Sequence, residues 1–302
     1  MGYEEVVDIL SIVLPIFIIF ACGFFLKKKF NGDIRTLSNI SFNCLLPALV
    51  FKNFYSSTIS GDIGWLVLFE VVLLLAIIVI SIILARCFRF NKERETGLLL
   101  VASFPNAGNY GSSIILLAYG QEGFQWAIAF FVIQSMMMNS LGVLFAAQDK
   151  GGIGDTLKKL LKMPVLYAGL LGFLCQSLTI ELHPIVYHPI EMLSQAMIPM
   201  LMLLLGMQLA TIKRFSFAKG IALGVTIRLV LSPVLAFLLL PFFSFDEVAS
   251  NVILLQAAMP AAIVPVLLAN QYGREPEMVA GITLFSTIVS AGTISLLLWL
   301  LH

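Results

Sequence analysis

A chain of 302 residues that is 60% hydrophobic and 12% charged, with a mean hydropathy of +1.00, lies far from ordinary soluble domains, which are roughly 45–50% apolar and about 25% charged. No soluble core could bury that much apolar surface, and a formal net charge of +1 supplies no basic stripe for nucleic acid. Cys22, Cys44, Cys87 and Cys175 lie in apolar stretches without CxxC spacing, and the three histidines make no triad, so no disulfide, metal or cofactor is expected.

The amino terminus, MGYEEVVDIL, is acidic where a signal peptide would be basic, so the first apolar run is expected to stay as a helix over 6–27. At about 20 apolar residues per crossing, further helices follow over 34–54, 64–86, 94–119, 122–147, 162–180, 190–211, 216–243, 247–271 and 276–301. The runs are too long, and alternate too little, for barrel strands. Sixteen of the 18 basic residues fall in odd-numbered connections: Lys27 to Arg35, Arg86 to Arg94, Lys150 to Lys162, Lys213 to Lys219, and Arg274. The positive-inside rule assigns those connections to the cytoplasm. The expectation is an all-α polytopic protein of the cell membrane, with ten transmembrane helices and both termini outside.

The halves 1–149 and 150–302 resemble each other. LPIFIIFACGFFL in the first helix parallels MPVLYAGLLGFLC in the sixth, with Pro15 and Gly23 spaced as Pro164 and Gly172 are. LSNISF in the second helix parallels LSQAMI in the seventh, and, with two residues gapped, PNAGNYGSSIILLAYGQE in the fourth parallels PAAIVPVLLANQYGRE in the ninth. Five crossings per copy force the second copy to enter from the opposite side. The two repeats are therefore expected to be inverted, a device of secondary transporters, although duplication also builds scaffolds that carry nothing.

In the fourth helix, Pro105, Asn106, Gly108, Asn109 and Gly111 fall about halfway across, and in the ninth so do Pro260 and Pro265. Proline removes a helical hydrogen bond, so both helices are expected to break there, whereas Pro47 and Pro233 read as ordinary kinks. Two crossing breaks would leave helix amino termini with free N–H groups at mid-membrane, a natural anion site. Asn106 and Asn109 could orient the ligand, and Gly108 and Gly111 would permit close approach. Tyr110, Ser112, Ser113 and Gln256 are further candidates, with interhelical hydrogen bonding as their alternative role.

Ten helices in two halves, outward termini, FPNAGNYGSS in the fourth helix and proline in the ninth together resemble the auxin efflux carrier family, including its bacterial malate and malonate permease-like members. Plant carriers have Asn-Pro-Asn-Thr-Tyr at the crossover; PNAGNY shares the Pro-Asn and a following Tyr at a different spacing, and the long cytoplasmic loop of many plant members is absent. The resemblance implies a scaffold domain, a mobile transport domain and often a homodimer. It assigns a substrate role to Pro105 and Asn106 and the paired crossover role to Pro260.

Glu70 in the third helix and Arg228 in the eighth occupy corresponding helices of the two halves, and each is costly to bury alone. They read as a structural ion pair, as groups that each reach separately into a wet cavity, or as a proton carrier and a contact for substrate carboxylate. Lys52 is placed at the outer boundary, Trp65 and Trp126 at the outer interface, and His183 and His188 in an outer loop. The leading function is transport of a small organic anion by alternating access. A sodium-coupled symporter of the bile-acid type and a membrane sensor or channel are the alternatives, while no Ser/His arrangement, paired carboxylates or HExxH suggests an enzyme.

Overall fold

The computed structural model describes residues 3–56, 63–147, 164–211 and 218–301; Lys150, Lys158, Lys159, Lys162, Lys213 and Arg214 of the predicted cytoplasmic connections lie outside them. In chain order the helices are α1 (Tyr3–Phe30), α2 (Ile34–Tyr55), α3 (Ile63–Cys87), α4 (Lys92–Ser103), α5 (Ala107–Ala146), α6 (Pro164–Ser177), α7 (Pro184–Leu209), α8 (Ala218–Phe242), α9 (Glu247–Ala257), α10 (Val264–Tyr272) and α11 (Pro276–Leu301). Among the described residues there is no strand beyond one isolated antiparallel bridge, Pro105 with Ala261. Six of the helices, α2, α3, α5, α7, α8 and α11, are long and apolar enough to span a bilayer. Their outer faces are apolar too: along α3, Leu68, Leu75, Val79 and Ile83 are exposed while Leu66, Phe69, Leu73 and Ile77 are buried. A helix hydrophobic all round fits a protein whose surrounding solvent is lipid.

The breaks fall where the prolines are. The predicted fourth helix is interrupted between α4 and α5, and the predicted ninth between α9 and α10. Chain continuity is restored in α5, which turns at Gly120 (φ 61°, ψ −152°) between the predicted fourth and fifth helices. Pro47 and Pro233 each follow a short π-helical segment, Ser41–Leu45 and Ile227–Leu231, as expected where a proline cannot supply the next N–H and its ring crowds the preceding turn.

Four helix starts at the connections are capped by side chains. Asp33 accepts hydrogen bonds from the Arg35 and Thr36 N–H groups, Asn91 from that of Arg94 and Asp246 from that of Ala249, which satisfies donors that a helix start leaves over. His183 caps α7 through its Nδ1, with Pro184 as the first helical residue. The seventh helix thus begins before the predicted residue 190 and takes His188 out of the expected loop, because proline's fixed φ suits a helix start. Trp126 is likewise not an interfacial anchor: it is buried edge-on against Phe245, whereas Trp65 is exposed.

Two helix pairs pack closely through glycine. On α1 and α7, a Cβ at Gly23 would collide with the Leu203 backbone and one at Gly206 with the Phe20 carbonyl; on α6, one at Gly172 would meet the Phe51 carbonyl of α2. Small residues let helix backbones approach this far inside a membrane.

Candidate functional site

The chain crosses itself at the two breaks. The Asn106 N–H donates to the Pro260 carbonyl at 2.8 Å and the Ala262 N–H to the Phe104 carbonyl at 3.0 Å, so two extended segments replace part of the pairing that each helix gave up. Neighbouring side chains satisfy three further groups. Gln134 Nε2 donates to the Pro105 carbonyl (3.0 Å), Ser286 Oγ accepts from the Ala261 N–H (3.1 Å), and Thr283 Oγ1 donates to the Ala262 carbonyl (3.3 Å). Irregular backbone is tolerated at membrane depth only when it is satisfied in this way.

The two helices that restart here, α5 and α10, begin without a side-chain cap, unlike α2, α4, α7 and α9. Their starting residues, 107–109 and 263–264, border a cavity of about 320 Å³ together with Pro105, Asn106 and Ala262. Opposite them the wall is built by Asn43 and Leu46 of α2, Ser135 and Asn139 of α5, and Gln208 of α7. No described residue of the lining carries a charge. Asn106 is 5% exposed, and its Nδ2 is a buried donor with no partner; Gln208 Oε1 is a buried acceptor in the same condition. Leaving such a group unpaired costs about 1–3 kcal/mol; Gln256 Oε1, at the crossing but outside this lining, is also without a partner. A larger cavity of about 870 Å³, bordered by Arg35, Ser38, Asn39 and Asn270, shares Gln208 and Ile263 with the first.

The opposite polarity lies behind the crossing. Arg228 is fully buried in α8 and directs its guanidinium to backbone carbonyls at the carboxyl ends of α4 and α9. Nη1 donates to Ala102 (2.5 Å), Nη2 to Ala257 (2.6 Å) and Nε to Met259 (3.1 Å); Nη2 also reaches Ser232 Oγ at 2.6 Å. Glu70, 3% exposed, borders a cavity of about 20 Å³ beside Arg228, Ser103 and Gln134, but both of its carboxyl oxygens lack a hydrogen-bond partner. The direct ion pair anticipated between Glu70 and Arg228 is therefore not formed; the helix ends, rather than a carboxylate, neutralise the guanidinium.

Residues 8–154 and 152–300 match the membrane transport protein family. The chain belongs to this family, that of the auxin efflux carriers. Similar proteins include an uncharacterized transporter of Methanothermobacter thermautotrophicus, 28% identical over 98% of this chain and 96% of its own length. Another, an uncharacterized transporter of Methanocaldococcus jannaschii, is 26% identical over 97% and 98%. The protein is accordingly a membrane transporter and not an enzyme.

Within this transporter the structure sorts the residues singled out from sequence. Pro105, Asn106, Gly108 and Asn109 border the 320 Å³ cavity, and Pro260 lies at the crossing through its carbonyl. Gly108 serves packing as well, since a Cβ there would strike the Phe131 ring. Tyr110 points elsewhere: its hydroxyl meets Ser290 at 3.2 Å and its ring packs on Phe17 and Phe20. Gln256 is a strut, donating to the Ala107 and Ala127 carbonyls with Gly111 against its Oε1. Ser112 and Ser113 donate to carbonyls of their own helix, those of Ala107 and Asn109. Sequence reasoning missed Gln134, Gln208, Asn43 and Asn139. A usable signal existed for the two glutamines, because an amide inside an apolar run such as FFVIQSMM or LLLGMQLA must find a polar role in a membrane.

Proposed function

We propose that this membrane transporter carries a small organic anion, a carboxylate, by alternating access, and that the crossover cavity is its substrate site. The observation that carries the reading is Asn106: a buried, unpartnered amide donor beside two uncapped helix starts, in a cavity of about 320 Å³. Each helix start is worth roughly +0.5 of an elementary charge, so the two together balance about one carboxylate without the trapping strength of a fixed cation. The volume lies near the lower end of the range for small-molecule clefts, about 300–1,000 Å³. The unpartnered Gln208 Oε1 would accept from a hydroxyl on the same ligand, which favours hydroxy acids.

The architecture we propose is ten helices in two inverted five-helix repeats, 1–149 and 150–302. Its support is the matched breaks, together with the packing of α1 on α7 and of α6 on α2 through repeat-related Gly23 and Gly172. Exchanging the repeats maps one pair onto the other. The access route fits the same reading. The substrate cavity adjoins the 870 Å³ vestibule that carries Arg35 of the basic first connection, and shares no lining residue with a separate cavity of about 390 Å³ around Lys52, Asn53 and Gln125. With basic connections inside, that arrangement corresponds to a carrier open to the cytoplasm of a cell membrane. Uptake into proteoliposomes from labelled mono-, di- and hydroxycarboxylates, with the parent protein beside Asn106→Ala, tests the proposal. A saturable flux weakened by the substitution is expected; no flux of any carboxylate would overturn it.

A further inference from the structure

The half-helices of this crossover have two kinds of ends, and only one kind faces the substrate cavity. The other kind, the carboxyl ends of α4 and α9, brings together the carbonyl oxygens of Ala102, Ala257 and Met259 with the hydroxyl of Ser232, all within 3.1 Å of the Arg228 guanidinium. Three carbonyls and a hydroxyl form a set of hard oxygen ligands, and in transporters with broken helices such carbonyl ends are where a coupling sodium ion binds. Each helix end contributes roughly −0.5 of an elementary charge, so two ends call for about one positive charge. The guanidinium supplies one.

We propose that Arg228 is a tethered surrogate for the coupling cation: it fills a cation site between the two carboxyl ends permanently, and the carrier is therefore independent of sodium. The proposal rests on the crossover carrier described above for its functional meaning, but the oxygen set and its occupancy stand on geometry alone. Arg228 has no carboxylate within 4.0 Å among the described ion pairs, and Ser232 completes the arrangement by donating to the Ala257 carbonyl at 2.8 Å. A guanidinium suits the task because its planar donors reach several acceptors at once and it keeps its charge when buried. The consequence is that the two halves of the crossing are locked together in every state of the transport cycle, whereas a dissociable ion would let them loosen whenever the site emptied.

Thermal unfolding of the purified, substrate-free protein tests this without any transport measurement. In the parent, exchanging sodium chloride for choline chloride at constant ionic strength is expected to leave the midpoint unchanged. Arg228→Ala opens the oxygen set, so its midpoint is expected to fall and then to rise saturably with millimolar sodium or guanidinium chloride. Arg228→Met, which fills the volume with an apolar chain, is expected to fall without any recovery. Saturable stabilisation of the parent by sodium, or an Arg228→Ala protein as stable as the parent, overturns the proposal. Should Arg228→Ala not accumulate, the parent's sodium dependence still decides. Failure of carboxylate uptake with these ion responses intact would instead count against the substrate assignment.

Discussion

Replacing Asn106 by alanine should move folding stability and substrate binding in different directions, and this separation is what distinguishes a binding residue from a packing one. In the unliganded protein Asn106 Nδ2 is buried without a partner, so its removal takes away a group whose isolation costs about 1–3 kcal/mol. Its backbone N–H, which holds the Pro260 carbonyl at 2.8 Å, survives the substitution. The space vacated opens into the existing cavity of about 320 Å³, so no sealed void is created and the usual penalty of a truncated core side chain is mostly avoided. The unfolding midpoint of Asn106→Ala should therefore equal or exceed that of the parent. Binding of a transported carboxylate should weaken by about 1–3 kcal/mol, roughly 5- to 150-fold in dissociation constant, because one charge-assisted donor is lost. The assays are thermal unfolding in detergent and equilibrium binding to the same preparation, using whichever carboxylate the uptake panel identifies. A variant that is clearly less stable but binds with parental affinity would refute the reasoning and make Asn106 a structural residue of the crossing.

Three other outcomes follow from the same geometry. Glu70→Gln should leave the midpoint unchanged or raised, since both oxygens of that buried carboxyl lack partners and a bare buried carboxylate is costly; it should also fail to rescue Arg228→Ala, and a rescue in the double variant would restore the idea of direct pairing. Gly120→Ala should destabilise by about 1–3 kcal/mol despite open space around the position, because φ 61° and ψ −152° lie in a region that essentially only glycine occupies; an unchanged midpoint would contradict it. Asp155→Cys, in a background without native cysteines, should react with an impermeant thiol reagent only after the cytoplasmic face is opened, and labelling on intact cells would invert the proposed topology.

Much of the helix layout was legible because its causes are local. Apolar length marks a crossing, and Pro105 and Pro260 mark the interruptions. The less legible features depend on contacts between segments distant in the chain. Nothing in the stretch around Arg228 says that its partners are the carbonyls of Ala102 and Ala257, 126 and 29 residues away, because backbone carbonyls are present everywhere and leave no trace in sequence. Glu70 and Arg228 looked like complementary charges for the same reason: side-chain charge is visible in a sequence and helix-end polarity is not. Tyr110 and Gln256 were adjacent to the break, yet helical rotation turns them into the packed side against Ser290 and Ala127.

Those helix-end charges give the crossover its logic. Breaking two helices at one point creates four exposed ends, and packing them antiparallel sorts the ends by sign instead of cancelling them. The carboxyl ends of α4 and α9 converge on Arg228; the amino ends of α5 and α10 converge on the cavity beside Asn106. Both pairs carry roughly one unit of charge; one is matched by a covalently attached partner, and under the proposed function the other would be matched by the substrate. In the carrier proposed above, a substrate anion would complete an electrostatic arrangement that the fold has already half satisfied, without meeting a fixed cation that would hold it too tightly to release. An uncharged wall of amides and a hydroxyl suits that proposed role, because lysine or arginine there would add affinity at the expense of turnover in a carrier that must let its ligand go on each cycle.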